Sequence, residues 1–169
     1  MMSSTCQNIL TISGGIEVII AIEKACDDGT LLEYLNPIGE WEMAHLSLQW
    51  KLYAVEMWGT SREAYSIECS PPELEEGDWW VHISFDTKDG PPITAYEAAM
   101  ERLGVGLSAS YYNDTHIFVG VFDNGKDKRY DIDYDDDWWF ADIPSDLRWE
   151  YDLDGEYEYY RECKREELM

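Results

Sequence analysis

The dipeptide Asn124-Gly125 constrains the fold of this chain most strongly, because it lies between two segments of strand-like residues. Asn-Gly is the strongest short sequence signal for a two-residue hairpin loop. Such a loop pairs Asp123 with Lys126, and counting outward predicts the rest of the register. One face carries Val119 opposite Tyr130 and Ile117 opposite Ile132, and the other carries Phe118 opposite Asp131 and His116 opposite Asp133. The first face is uniformly apolar, so the register is internally consistent.

Short apolar patterns divide the rest of the chain into further strands and two helices. The predicted strands cover residues 7–13, 63–68, 79–87, 105–112, 116–122 and 128–134, and the predicted helices cover residues 16–26 and 93–103. Alternation in strand 79–87 directs Val81, Ile83 and Phe85 to one face. Residues 31–37 are predicted as a loop or short helical turn. The tryptophan-rich segment 40–58 receives no secondary-structure prediction.

The order of these elements predicts the fold class. A β-α-insert-β-β-α-β order, followed by one further hairpin strand, is typical of a ferredoxin-like α+β sandwich, an antiparallel sheet with two helices on one face. We expect this domain to span residues 1–134, with the tryptophan-rich insert near residues 40–58. Residues 135–169 are expected to form an acidic, aromatic-rich C-terminal extension packed on the same domain.

Four short segments resemble a known family. They are Cys6 to Gly14, Met57 to Thr60, Phe85 to Thr87 with Pro91-Pro92, and Tyr111 to Gly120. Over roughly residues 6–134 the chain resembles the YubB-type ferredoxin-like proteins of phages and plasmids. The resemblance implies that fold and the role of a small accessory protein on a mobile element, with no activity, cofactor or catalytic residue. Where tryptophans are expected in that family, this chain has Ser61-Arg62-Glu63 and Lys88-Asp89-Gly90.

The charge of the chain indicates the kind of partner that it can bind. Its 36 Asp and Glu outnumber its 12 Lys and Arg, for a net charge of -24. Residues 131–169 alone contain 15 acidic and 4 basic residues, a net charge of -11. This charge repels nucleic acid and anionic membranes and favours cationic partners. The 8 Trp, 12 Tyr and 4 Phe argue against disorder, because acidic disordered segments are poor in aromatic residues.

The sequence contains no recognisable catalytic or cofactor-binding signature. Its four cysteines are scattered without a CxxC pair, which indicates reduced thiols without zinc or an iron–sulfur cluster. The three histidines are dispersed, and no nucleophile is placed beside them. The amino terminus has no signal-peptide pattern, and no apolar run approaches the ~20 residues that span a bilayer. We expect a non-enzymatic protein without a cofactor in the cytoplasm of a host cell, bound to neither nucleic acid nor membrane.

The aspartates between Asp131 and Asp137 present a second possibility, a calcium site. Clustered carboxylate oxygens suit hard cations, and Asp142 lies at the twelfth place of an EF-hand-like spacing. However, Asp136 stands at the sixth place, where a sharp turn requires glycine. A strand whose alternate aspartates face solvent is therefore favoured over calcium binding, which stays open as an alternative.

The C-terminal extension is the predicted binding region. In a strand over residues 149–154, Trp149, Tyr151 and Leu153 would be buried and the alternate acids would project. Alternate strand residues are ~6.6–6.8 Å apart, about twice the ~3.4 Å rise per phosphate along one DNA strand. The predicted acidic face consists of Asp131, Asp133, Asp135, Asp136, Asp137, Glu150, Asp152 and Asp154, with Trp138 and Trp139 as aromatic anchors.

Two hypotheses follow from this placement of charge and aromatic side chains. In the first, a phage or plasmid accessory protein blocks the basic channel of a host DNA-binding or defence protein, as a DNA mimic or anti-defence inhibitor does. In the second, a structural or housekeeping phage protein is acidic only for solubility. A net charge of about 2–8 already keeps a small domain soluble, so -24 raises the weight of the first hypothesis.

Overall fold

In the part of the chain that the structure describes, one strand is followed by three helices, three strands, a helix, three more strands and two C-terminal helices. A computed structural model describes residues 4–39, 48–135 and 142–168. The strands are β1 (Thr5–Gly14), β2 (Tyr65–Cys69), β3 (Glu73–Glu75), β4 (Asp78–Lys88), β5 (Gly106–Asn113), β6 (Phe118–Asp123) and β7 (Lys126–Asp131). The helices in those ranges are α1 (Ile16–Asp28), α2 (Leu31–Leu35), α3 (Leu48–Trp58), α4 (Ile93–Leu103), α5 (Ser145–Glu150) and α6 (Leu153–Glu167).

The seven strands form one antiparallel sheet. Their order is β2-β4-β1-β5-β6-β7, and β3 pairs with the start of β4. The prediction of an α+β protein with an antiparallel sheet is confirmed. The sheet is larger than that of a simple ferredoxin-like sandwich, because the Asn124-Gly125 hairpin adds β6 and β7 beside β5.

The helices are also more numerous than predicted. Helices α1 to α4 share one apolar core with one face of the sheet, where Leu10 and Ile12 of β1 are fully buried. The two extra helices on this face are α2, where the sequence predicts a loop or short helical turn, and α3, where it predicts no secondary structure. Trp50, Ala54 and Trp58 of α3 lie at helical spacing and enter this core. Residues 40–47 of the tryptophan-rich insert lie outside the described residues.

The predicted hairpin register is confirmed over the length of the two strands. Val119 pairs with Tyr130, Phe118 with Asp131 and Asp123 with Lys126. The ladder ends there, so the pairs predicted for Ile117 and His116 fall beyond it. Ile117 has a positive φ of 54°, and its carbonyl accepts a hydrogen bond from the N–H of Ile132 at 3.0 Å. Strand β6 therefore begins at Phe118, after this turn, and not at His116 as predicted.

The strand predicted over 149–154 is wrong, because those residues belong to α5, a turn and α6. The buried residues Leu147 and Tyr151, and then Leu153 and Tyr157, are each four positions apart, which is the spacing of one helix face. In the described ranges, no helix combines the length and apolar character needed to cross a membrane.

Candidate functional site

The two C-terminal helices pack on the face of the sheet opposite to α1–α4. The alternation of side chains along β5 and β6 turns Tyr112 and Val119 to this second face. They form a separate apolar cluster with residues of the following loop and of both helices, namely Ile132, Ile143, Leu147, Tyr151, Leu153 and Tyr157. This cluster positions the acidic C-terminal residues on the protein surface.

Ser110 of β5 connects α5 to the middle of the sheet. Its hydroxyl donates a hydrogen bond to Glu150 Oε1 at 2.5 Å and lies 2.9 Å from the hydroxyl of Tyr151. Tyr151 is buried, and burial raises the pKa of its phenol. The carboxylate of Glu150 is thereby held over the sheet rather than projecting away from it.

The predicted acidic face is not a single rank of carboxylates. Glu150 turns toward the sheet, Asp152 adopts a left-handed conformation before α6, and Asp154 lies 3.7 Å from Arg148. The prediction that these three side chains line one face of a strand is wrong, since successive helical residues point in different directions.

Three more of the predicted carboxylates lie at the end of strand β7 or just after it, and all three are exposed. Asp131 Oδ1 lies 3.2 Å from Arg129 Nε, and Asp133 Oδ1 accepts the N–H of Asp135 at 3.0 Å. Asp135 Oδ1 accepts a hydrogen bond from the Tyr160 hydroxyl at 2.6 Å and lies 3.6 Å from Lys164 Nζ. That hydrogen bond and the Lys164 charge lower the pKa of Asp135.

These contacts bear on the calcium alternative. The carboxylates of the three aspartates face different partners, and the described part of the chain contains no group of three or more His, Cys, Asp or Glu side chains arranged to hold a metal ion. Asp136, Asp137, Trp138 and Trp139, which completed the predicted site, lie outside the described residues.

The position of Trp149 in the structure differs from the predicted one. It was expected in a buried face, whereas 87% of it is exposed at the end of α5. Asp146 precedes it by one helical turn, and Asp152 follows it by three residues; both carboxylates are exposed. We define the acidic surface as nine exposed acidic residues at the β7 end, in α5, in the turn after α5 and in the first two turns of α6: Asp131, Asp133, Asp135, Asp146, Glu150, Asp152, Asp154, Glu156 and Glu158.

The sheet also has a concave region on the same face, beside the C-terminal helices, that sequence reasoning missed. We define the open trough by its lining, which includes Gln7, Ile9, Glu68, Ser84, Asp86 and Glu150. Its cavity volume is about 410 Å³. Polar residues alternate with buried ones along β1 and β4, and this alternation is the sequence signal for a polar second face. The alternation identifies the buried face but does not by itself indicate a trough.

The histidines remain dispersed in the described residues, whereas the side chains of Cys26 and Cys69 lie close enough to form a hydrogen bond. All four cysteines are free. Burial raises the pKa of Cys6 to about 12, so its thiol is a poor nucleophile at neutral pH. His116 lies in the turn before β6, where its backbone N–H donates to Asn113 Oδ1 at 2.9 Å.

Comparison of the chain with protein-family models, curated proteins and solved structures found no match.

Proposed function

We propose that this protein binds a basic, nucleic-acid-binding protein of its host through the acidic surface, with Trp149 as the central anchor. The observation that carries the proposal is the 87% exposure of Trp149, which has the exposed acids Asp146 and Asp152 three residues before and three residues after it in the chain. Tryptophan is enriched among the residues that dominate binding energy at protein interfaces. An exposed tryptophan with acidic residues near it in the chain fits a cationic surface that also contains an apolar pocket.

The mechanism is occlusion of a nucleic-acid channel. A net charge of -24 steers the chain toward a basic groove and raises the association rate. Burial of Trp149 at the centre of the contact then slows dissociation. Because the same groove binds DNA, the bound protein acts as a DNA mimic and inhibits its partner without catalysing a reaction.

The setting proposed for this function is a phage or plasmid acting on its host in the cytoplasm. The resemblance of residues 6–134 to the YubB-type family supports this setting. We further propose that β1, β2, β4 and β5 with α1 and α4 are a ferredoxin-like core. The strand order β2-β4-β1-β5 and the two helices that precede β2 and β5 support it, since they correspond to two interleaved β-α-β units.

Affinity capture from a bacterial lysate, followed by DNA competition for the captured protein, tests the proposal. Trp149→Ala should weaken partner binding roughly tenfold or more, as expected for an interface anchor. Asp146→Asn with Asp152→Asn should slow association and reduce its salt dependence. Asparagine suits position 152 because it tolerates the left-handed conformation that Asp152 adopts.

The matched control is Glu73→Gln with Glu97→Gln, which removes the same charge from exposed positions of β3 and α4. It should leave both the affinity and the competition with DNA close to those of the unmodified protein. If all three variants behave alike, the acidity serves solubility only and the protein is a structural or housekeeping component.

A further inference from the structure

The open trough is the uncovered part of the second sheet face. Helices α5 and α6 cover this face over β5 and β6, whereas the outward side chains of β1, β4 and β2 have no helix above them in the described residues. Strand β1 is central in the sheet, yet its Ile9 is 37% exposed. Ile9 therefore gives the centre of this uncovered face an apolar side chain.

One row of paired residues crosses the trough. Glu68 of β2 pairs with Ser84 of β4, Ser84 pairs with Ile9, and Ile9 pairs with Ser110 of β5. The Ser110 hydroxyl binds Glu150, so a carboxylate stands at each end of the row and small or apolar side chains form its floor. Four neighbouring strands are separated by three spacings of ~4.8 Å, which places the two ends ~14 Å apart.

The charge of the trough is negative throughout. Glu68, Asp86 and Glu150 line it, and none of its described lining residues is Lys or Arg. None of the three carboxylates forms an ion pair with a described residue. Burial raises the pKa of Asp86, because its carboxylate is partly removed from water. A cation placed beside Asp86 would recover the electrostatic energy that desolvation costs this carboxylate.

The shape and spacing favour a peptide over a single ion. Among the described residues, Glu68, Asp86 and Glu150 do not form a group that could hold a metal ion. Residues four apart in an extended chain are ~13–14 Å apart, which matches the backbone spacing between the two ends of the row. Arginine fits better than lysine, because its planar guanidinium donates to several acceptors and its methylene stem can lie on an apolar floor. The hydroxyls of Ser84 and Ser66 add further acceptors.

We propose that the open trough binds an extended segment of the basic partner with arginines four residues apart, one at Glu68 and Asp86 and the other at Glu150. This inference rests on the proposed function and names the chemistry that the partner presents. The site is separate from Trp149, which does not line the trough.

A labelled peptide tests the proposal on the full chain. The probe is fluorescein-labelled Arg-Gly-Ser-Gly-Arg, and its binding is measured by fluorescence anisotropy at physiological salt. Glu68→Gln with Asp86→Asn should weaken binding roughly tenfold, whereas the charge-matched control Glu73→Gln with Glu97→Gln should change it less than about twofold. The same peptide with citrulline in place of arginine should not bind. A peptide of equal charge with its arginines adjacent should bind more weakly.

A second variant leaves all three carboxylates in place. Ser84→Lys puts an ammonium group in the floor, next to Glu68 across the strands, and should abolish peptide binding. Equal losses in the trough variant and the control, or undiminished binding by Ser84→Lys, would show that only net charge attracts the peptide.

The failure of this proposal differs from that of the proposed function. If the trough variants bind the peptide normally while Trp149→Ala loses the partner, the trough is wrong and the function stands. If the trough variants lose the peptide and no variant alters competition with DNA, the trough binds arginine but the DNA-mimic function is wrong.

Discussion

The side chain of Tyr111 crosses over Gly120, the residue that faces it on strand β6, and its hydroxyl donates a hydrogen bond to Asp127 Oδ1 at 2.6 Å. A Cβ atom at position 120 would lie 2.3 Å from the Tyr111 ring, so only glycine leaves room for this path. One aromatic side chain thus connects β5, β6 and β7 on the sheet face that packs against α1–α4.

Gly120→Ala should therefore destabilise the protein by roughly 1–3 kcal/mol, the usual cost of forcing extra volume into a packed site. Tyr111 is only 1% exposed and cannot swing into solvent without leaving its pocket. Urea unfolding measures the change. Gly15→Ala is the control, since a Cβ there meets no atom within 4 Å. Equal stability of the two variants would contradict the observed packing.

Glu63 should make stability depend on pH. Its carboxylate accepts the N–H groups of Leu32 at 2.6 Å and of Glu33 and Ala64 at 3.0 Å. Burial nevertheless raises its pKa from 4.5 to about 7, against the opposing effect of these donors. The folded chain then holds this proton more tightly than the unfolded chain. Its stabilising contribution is complete below pH 4.5 and is lost as the pH rises through about 7.

Glu63→Gln should accordingly flatten the fall in unfolding free energy between about pH 5 and about pH 8. Urea unfolding across this range provides the measurement. The control is Glu97→Gln, which removes an exposed carboxylate of α4. It should retain the original pH dependence. The same slope in both variants would mean that the general acidity of the chain, rather than Glu63, controls it.

Trp149 and Tyr151 are two residues apart, but truncation should destabilise the protein strongly at Tyr151 and hardly at all at Trp149. Tyr151→Ala removes a side chain that is 9% exposed and should cost about 3–5 kcal/mol. Trp149→Ala removes one that is 87% exposed and should change stability by less than about 0.5 kcal/mol. Thermal and urea unfolding distinguish the two. A large loss of stability in Trp149→Ala would place that ring in the fold and remove it as a free anchor.

Added salt should stabilise the protein over the low concentration range. The ion pairs seen in the described residues involve largely exposed carboxylates, and such pairs contribute little. Repulsion within a net charge of -24 is therefore the larger effect, and salt screens it. Melting curves at low and moderate sodium chloride should show a rising midpoint. A falling midpoint would mean that local ion pairs outweigh the net repulsion.

The parts of the fold that depend on near neighbours could be predicted from the sequence. The helix over 93–103 was correct to the residue, and the hairpin register followed from the Asn124-Gly125 turn. The candidate site was less predictable. Glu68 and Asp86 come together only because β2 and β4 pair, and the exposure of Trp149 depends on which side of α5 meets the sheet.

The sequence by itself determined the net charge, the turn, the main strands and the apolar face that each presents, because charge and periodicity are local properties. Only the tertiary structure decided the conformation of residues 149–154, whose alternation of acid and aromatic residues suits a strand. Leu147, Tyr151, Leu153 and Tyr157 are buried against Tyr112 and Val119, and a helical path is what brings them to that surface. The stabilisation comes from residues distant along the chain, so no local pattern within the segment contains it.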